Sequence, residues 1–531
     1  AGNGDAFVSK IAADGKTVLF TTYYGGPQED EASDVALDAA GNIVITGYGN
    51  CDQLPTVAGG YVTPGITRGA FVAKFNPAGT QLLAASCFGG LNGLTQAKAI
   101  ALDSSGDIYV GGVTTSNHLP VTPNAVYVVR ASSSFHRQAF AAKLNAAGTS
   151  LIYLTYMGAG NYGEVISIAA DAEGTAYFAG NVSGGAPPEL YAPPGAHKVA
   201  AQSSWDGFVL KLNATGTAVV GGSYVGGFWD DRVAGVTLDA EGNLLVTGST
   251  QSADFPVSPN SARPTVYDDK TPSAFVMKLS GGGKTLQWST LLGGSGGAFG
   301  SGITANPDGR IYVAGGTWAL DFNTTPNALI PYQVSDEGAA AFVLQLDAAG
   351  NLLDSTYWKG TARGRSIWGW AGAWGQSIVS SGAGVVSVAG MAYGTTFPTT
   401  PGAARTAPVS PNATEGFVSR FRYASNCTFS VTPTAITAPI GGGRYRASVT
   451  TEAGCPWVHT ASSRWIGTAA VGTDEIDITV DASELPQRSG YVFVAGRAIP
   501  ITQEAPCVYS NPNPVVQVPA NGGNGRLFGQ C

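Results

Sequence analysis

One strand motif recurs seven times along the chain, and no other feature restricts the fold as tightly. It reads AFVSKI (6–11), AFVAKF (70–75), AFAAKL (139–144), GFVLKL (207–212), AFVMKL (274–279), AFVLQL (341–346) and GFVSRF (416–421). Its Phe residues fall at 7, 71, 140, 208, 275, 342 and 417, spacings of 64, 69, 68, 67, 67 and 75. Self-similarity at a period of this length is the mark of an array in which each repeat buries its apolar face only against its neighbours.

Each of the first six motifs runs into a Gly-bearing turn, such as Pro77-Ala78-Gly79 or Thr215-Gly216, where Gly supplies the positive φ of a tight hairpin. A second strand then ends in a Gly pair or a variant of it: YYGG (23–26), CFGG (87–90), YMGA (156–159), YVGG (224–227), LLGG (291–294) and YWKG (357–360). A third strand leads, in the first four units, into a D-x-x-G turn with Asp38, Asp103, Asp171 or Asp239. The fourth is typified by IVITG (43–47), IYVGG (108–112), LLVTG (244–248) and IYVAG (311–315), and a Pro-bearing loop such as LPVTPNA (119–125) closes the unit. Four short strands per unit, repeated radially, predict the blades of a β-propeller.

These markers taken together resemble the bacterial β-propeller repeat known as SBBP, over residues 5–422. Unit six departs from the pattern, reading IWGWAGAWGQSIVSS (367–381) with no Asp in its turn. The resemblance implies a propeller over residues 1–423, of six blades, with seven as the alternative. In the simplest closure the N-terminal pair (6–11 and 17–25) completes the blade begun by inner strands near 375–392. The seventh motif at 416–421 competes for that same position.

After Arg422 the pattern changes to alternating strands with turn signals every 8–12 residues, which read as a small β-sandwich over 424–505. Cys427, the Cys455-Pro456-Trp457 run, Trp465-Ile466 and the strand ending Ile501-Thr502-Gln503 resemble the BACON family of immunoglobulin-like modules. Residues 506–531 look like the opening of a second copy, or a strand-exchange tail. Disulfides are expected for Cys427–Cys455 and Cys507–Cys531. Cys51 and Cys87 are read either as a pair or as two buried thiols.

Composition narrows the partners. A formal net charge of −8 and no Lys/Arg cluster argue against nucleic acid and anionic membranes as partners, and no run of about 18 apolar residues is present to cross a bilayer. The even number of cysteines in an acidic chain rich in Gly fits an oxidising, extracellular compartment, and no signal peptide precedes the first strand.

Sites for chemistry are sparse. The four repeated Asp residues are read as turn caps that depend on the turn and on no partner. Asp30, Glu31 and Asp34, with Asp230 and Asp231, are the candidate calcium carboxylates, against a default of solvated loop charges. Ser295 lies in GGSGG (293–297), but a nucleophile elbow needs a following helix. His118, His136, His197 and His459 share no spacing with a nucleophile. Trp368, Trp370, Trp374 and Trp457 are candidate sugar-stacking residues, with Phe228, Trp229 and Trp465 beside them, against a reading in which they fill cores.

The expectation is a non-catalytic, secreted structural or adhesive protein, without a cofactor, that self-associates into filaments by strand addition at its two ends. The alternatives are a protein that binds extracellular polysaccharide, and a propeller lyase or glycosidase.

Overall fold

A computed structural model describes residues 4–129, 136–157, 162–183, 196–198, 201, 205–325, 328–331, 333, 338–359, 372–393, 397–400, 402–407, 414–423, 429–452, 457, 459–461, 463, 465–472, 474–483, 487–495 and 497–504. Among these the regular structure is all β, and no helix is long and apolar enough to cross a membrane.

The chain starts with a two-stranded hairpin, β1 (Ala6–Ile11) and β2 (Val18–Tyr24). Five four-stranded antiparallel meanders follow. Sheet one is β3 (Glu31–Leu37), β4 (Ile43–Asn50), β5 (Arg68–Phe75) and β6 (Leu82–Phe88); sheet two is β7 (Thr95–Leu102), β8 (Ile108–Thr114), β9 (Gln138–Leu144) and β10 (Leu151–Met157). Sheet three holds β11 (Tyr162–Ala170), β12 (Ala176–Ser183), β13 (Trp205–Leu212) and β14 (Val219–Val225). Sheet four holds β15 (Asp231–Leu238), β16 (Leu244–Thr250), β17 (Ser273–Leu279) and β18 (Leu286–Leu292). Sheet five holds β19 (Ala298–Ala305), β20 (Ile311–Thr317), β21 (Ala340–Leu346) and β22 (Leu352–Trp358). Sheet six has three described strands, β23 (Ala373–Ser380), β24 (Val385–Tyr393) and β25 (Thr414–Arg422).

The recurring motif is therefore the third strand of each sheet, and its Phe is the hinge of the packing. Phe71, Phe140, Phe208, Phe275 and Phe342 are all fully buried and face the preceding sheet. Opposite each lies a Gly of the second strand: Gly47, Gly112, Gly180, Gly248 and Gly315. The first strand bulges beside that Gly in every sheet, and its carbonyl then occupies the space a side chain would need. A methyl on Gly180 would collide with the Glu164 carbonyl oxygen. Gly180→Ala is accordingly expected to cost about 1–3 kcal/mol, read as a drop in the urea midpoint, because backbone on both sides must shift. An unchanged midpoint would show that the bulge relaxes freely.

The first strands stack in order, β3 on β7, β7 on β11, β11 on β15, β15 on β19 and β19 on β23. Among the described residues no such packing joins β23 back to β3. Here the structure departs from the expected closure. The N-terminal hairpin does not complete the sheet of β23 and β24; β25 takes that place, in register from Val385↔Arg422 to Tyr393↔Thr414. The reason lies in chain connectivity and register: β25 presents Phe417 to Gly390 as every third strand does and follows β24 directly in the chain, as each third strand follows its second.

Beyond Tyr423 two more four-stranded sheets share one apolar core. One has the order β26 (Phe429–Thr432), β28 (Gly443–Thr451), β31 (Glu475–Val480), β30 (Ile466–Val471). The other runs β27 (Ile436–Ala438), β33 (Arg497–Gln503), β32 (Arg488–Val494), β29 (His459–Ala461), with β27 parallel to β33. Val449, Ile476, Ile478, Val492, Ile499 and Ile501 fill the space between them. Phe493 of β32 reaches into the core shared by sheets five and six.

Candidate functional site

The hairpin β1–β2 can be placed by contacts that repeat around the array. In complete sheets the loop before the third strand bonds to the outer turn of the next sheet: Val126 N–H to the Gly216 carbonyl (2.9 Å) and His197 N–H to that of Gly283 (3.3 Å). The loop of sheet six makes the same bond to the hairpin, from Ala404 N–H to the Gly15 carbonyl (2.9 Å). Each outer turn also packs on the fourth strand of the sheet before it, Gly216 on Tyr153 and Gly350 on Trp288, and Gly79 packs likewise on Phe20 of β2. The hairpin thus stands between sheet six and sheet one as an outer pair of strands, with no inner pair beside it among the described strands.

That leaves a slot, and its walls are apolar. Val35 of β3 is 54% exposed, whereas its counterparts Ile100, Ile168, Val236, Ile303 and Ile378 are 6–8% exposed. Phe7 of β1 is 62% exposed where five equivalent Phe residues are at 0%. On the opposite wall Val418 of β25 is 62% exposed, against 0–1% for Val72, Val209, Val276 and Val343. Leu37, Tyr23 and Met391 extend the exposed surface. Isolated exposed apolar residues are ordinary, but Val35, Phe7 and Val418 are exposed at positions that the sister units bury, the pattern of an interaction surface.

Two strands keep an open edge, β1 on the side of the slot and β25 at the outer, fourth-strand position of sheet six. β1 is paired only with β2, and β25 only with β24, so each keeps one edge without a ladder partner among the described strands.

The electrostatics of the repeat correct one expectation. The D-x-x-G carboxylates do cap their turns, Asp239 accepting from Glu241 N–H (3.0 Å) and Asn243 N–H (2.8 Å). They also have a constant partner, the Lys of the third strand. Lys74–Asp38 (2.9 Å), Lys143–Asp103 (3.2 Å), Lys211–Asp171 (2.8 Å) and Lys278–Asp239 (2.6 Å) are all largely buried ion pairs. Burial alone would raise the Asp38 pKa, but the bonds from Lys74 and Asn42 outweigh it and hold the carboxyl at about 2. Asp171 and Asp239 are lowered by the same balance, burial against their Lys and turn bonds. In sheet five both members change together, to Asn306 and Gln345, which meet through the Tyr312 hydroxyl. That concerted change was the readable signal of the pairing.

The remaining candidates do not converge. Asp30 accepts from Gly26 N–H, and Asp231 from Gly227 N–H and the Ser252 hydroxyl, so both brace the Gly pairs that end the fourth strands. Burial lifts Asp231 to about 6 despite the bonds it accepts. Asp34 accepts from Ile100 N–H of sheet two, and its pKa is likewise raised to about 6 by burial. Among the described residues no three His, Cys, Asp or Glu side chains gather at metal-binding distance. Ser295 donates to Asp321 at 3.0 Å in a Gly-rich turn. Trp374 is half-buried in a cluster with Trp318 and Phe299, ring centroids 5.2 and 5.7 Å away, and its Nε1 donates to Ser301. Trp457 packs against the C-terminal core, and Trp465 beneath the Arg488 guanidinium at 4.3 Å. Trp368, Trp370, Cys427, Cys455, Cys507 and Cys531 lie outside the described residues. Cys51 and Cys87 are joined in a disulfide across sheet one.

The fold and its repeating contacts define a β-propeller repeat protein. In keeping with that class, residues 88–120 and 287–323 match the sequence model of the SBBP family, a β-propeller repeat. No curated protein matches the chain in sequence. Similar solved structures include BamB from Moraxella catarrhalis, 10% identical, covering 72% of this chain and 88% of that one with a TM-score of 0.30. A glucose dehydrogenase (10% identical, 68% and 96% covered, TM-score 0.27) is also similar. So is the quinohemoprotein alcohol dehydrogenase ADHIIG from Pseudomonas putida HK5 (10%, 85% and 67%, TM-score 0.29).

Proposed function

We propose that this chain is a non-catalytic structural or adhesive protein of the cell exterior, joined to neighbouring subunits by β-strand addition. The observation that carries the reading is the apolar surface between sheets six and one, beside the edge of β1 that has no partner among the described strands. An apolar cleft beside unpaired backbone groups is the surface to which an added strand binds, with main-chain bonds for affinity and side-chain pockets for specificity. We read the array as seven radial positions, six of them sheets and the seventh the hairpin β1–β2 alone. Residues 424–505 are read as an immunoglobulin-like module of the BACON type, supported by its two sheets around one core. The disulfide of sheet one supports an oxidising location.

Sedimentation and negative-stain microscopy test the assembly. Mass is expected to rise with concentration toward oligomers or fibres, and Phe7→Glu with Val418→Glu is expected to abolish the rise by placing charge in the slot. A monomer at every concentration, with no filaments, would overturn the reading.

A further inference from the structure

At the end of the array where each first strand begins, one position changes in kind from sheet to sheet. The residue just before the first-strand bulge is Glu31, Gln96, Glu164, Arg232, Phe299 or Trp374, and none of the six is buried. It is acidic or an amide in sheets one to three, cationic in sheet four and aromatic in sheets five and six. Arg232 leans over the preceding sheet, its guanidinium 4.2 Å from the centre of the Trp205 ring, and Trp205 meets Tyr162 with ring centroids 4.9 Å apart. The Glu164 carboxylate accepts from the Tyr162 hydroxyl at 3.1 Å. Arg232 itself is exposed and stands in no ion pair among the described residues. Stacking therefore sets the plane of a guanidinium whose N–H groups remain open to solvent.

Phe228 and Trp229 lie on the loop that leads into Arg232. They are 60% and 47% exposed and meet edge to face, ring centroids 5.7 Å apart. Their loop is braced: Phe228 N–H donates to Asp254 Oδ1 at 2.9 Å, Trp229 N–H to the Ser252 hydroxyl at 2.8 Å, and Gln251 N–H to the Asp230 carbonyl at 3.0 Å. The corresponding loops carry Pro27-Gln28, Leu91-Asn92 and Ser295-Gly296, so no demand of the repeat puts two large rings here. Adjacent rings held in water by a fixed backbone mark an interaction surface.

We infer that this end of sheet four is a binding site for an acidic polysaccharide, a chain of uronate sugars, with Arg232 receiving a carboxylate and Phe228 and Trp229 carrying the faces of the adjoining rings. A sugar ring joins an apolar C–H face to a rim of hydroxyls, so it can cover an exposed aromatic ring and stay hydrated at its edge. A uronate adds a carboxylate whose two oxygens match the fork of a guanidinium. The net charge of −8 gives no general attraction for a polyanion, so selection rests on this one contact. The site takes no part in the assembly proposed above, and either can fail alone.

The probes are short oligomers of galacturonate and of guluronate, each set beside its methyl ester, which keeps the rings and removes the charge. Binding to the intact chain is read by calorimetry and by Trp fluorescence. The expected result is that an acid oligomer binds and its ester binds roughly tenfold or more weakly, the loss of one charge-assisted contact. Arg232→Gln is expected to bring the acid form down to the affinity of the ester and to leave the ester unchanged. Trp229→Ala is expected to weaken both forms alike. Both side chains are exposed, so each variant keeps its fold, which an unchanged urea midpoint checks. The inference is overturned if neither acid oligomer binds, if acid and ester bind equally, or if Arg232→Gln retains the preference for the acid.

Discussion

Lys143→Met is expected to lower the stability of the array by about 3–5 kcal/mol, the range for removing one partner of a buried ion pair. The Lys143 side chain is 5% exposed and Asp103 is 2% exposed, so solvent does little to screen the charge that remains. The ammonium lies 3.2 Å from Asp103 and 3.1 Å from Asp107, donates to the Gly174 carbonyl at 3.3 Å, and sits 4.7 Å from the centre of the Tyr109 ring. Deleting it strands the Asp103 carboxylate between sheets. The chain also contains the remedy. Sheet five has Asn306, Gln345 and Tyr312 where sheet two has Asp103, Lys143 and Tyr109, a neutral version of the same triad. The double variant Asp103→Asn, Lys143→Gln is expected to recover most of the loss, because replacing both members of a buried pair by matched neutral groups is often close to neutral. A double-mutant cycle from urea midpoints checks this. Additive losses, with no recovery in the double variant, would mean that the two residues act independently.

The same pair shows what was legible in the sequence and what was not. Strands, turns and the order of the repeat follow from local patterns: the Phe motif, the Gly turns at Gly79 or Gly216 and the Gly pairs each act within a few residues. The Lys74–Asp38 and Lys143–Asp103 contacts join residues 36 and 40 positions apart, on the third strand and on the turn between the first two. A turn cap explains Asp38 fully at the local level, so nothing local demanded a partner. Only comparing units, where Asp and Lys give way together to Asn306 and Gln345, exposes the coupling. The slot was hidden for a different reason. Motifs one and seven compete on equal terms in sequence, and the outcome depends on which strand reaches β24 through its own loop. Once β25 does, the edge of β1 that would have paired with β24 has no partner among the described strands. The glycines opposite the motif Phe read as turn or strand-end residues until the bulge of the first strand is seen to fill their side-chain space.

Sheet one is the place where the vacancy should be felt, and removing its disulfide is expected to reveal it. Cys51, just past the end of β4, and Cys87 of β6 are both buried, and their bond spans the sheet across the intervening β5. The closed loop of 36 residues corresponds to a stabilisation of about 3–4 kcal/mol through restriction of the unfolded chain. Sheets two to five are each covered on both faces by four- or three-stranded neighbours, but among the described strands sheet one has on its open side β1 and β2 alone, and Val35 and Leu37 are exposed. With less apolar surface buried per strand, this sheet is expected to open first, and the covalent tie across it offsets that weakness. In the Cys51→Ala, Cys87→Ala variant, amide-exchange protection should fall in β3–β6 and in the hairpin β1–β2 that packs on them. β15–β18 should keep theirs. A loss spread evenly over all sheets would mean that the array unfolds as a single unit and that the slot leaves no local weakness. Protection unchanged in sheet one would mean that its packing alone suffices.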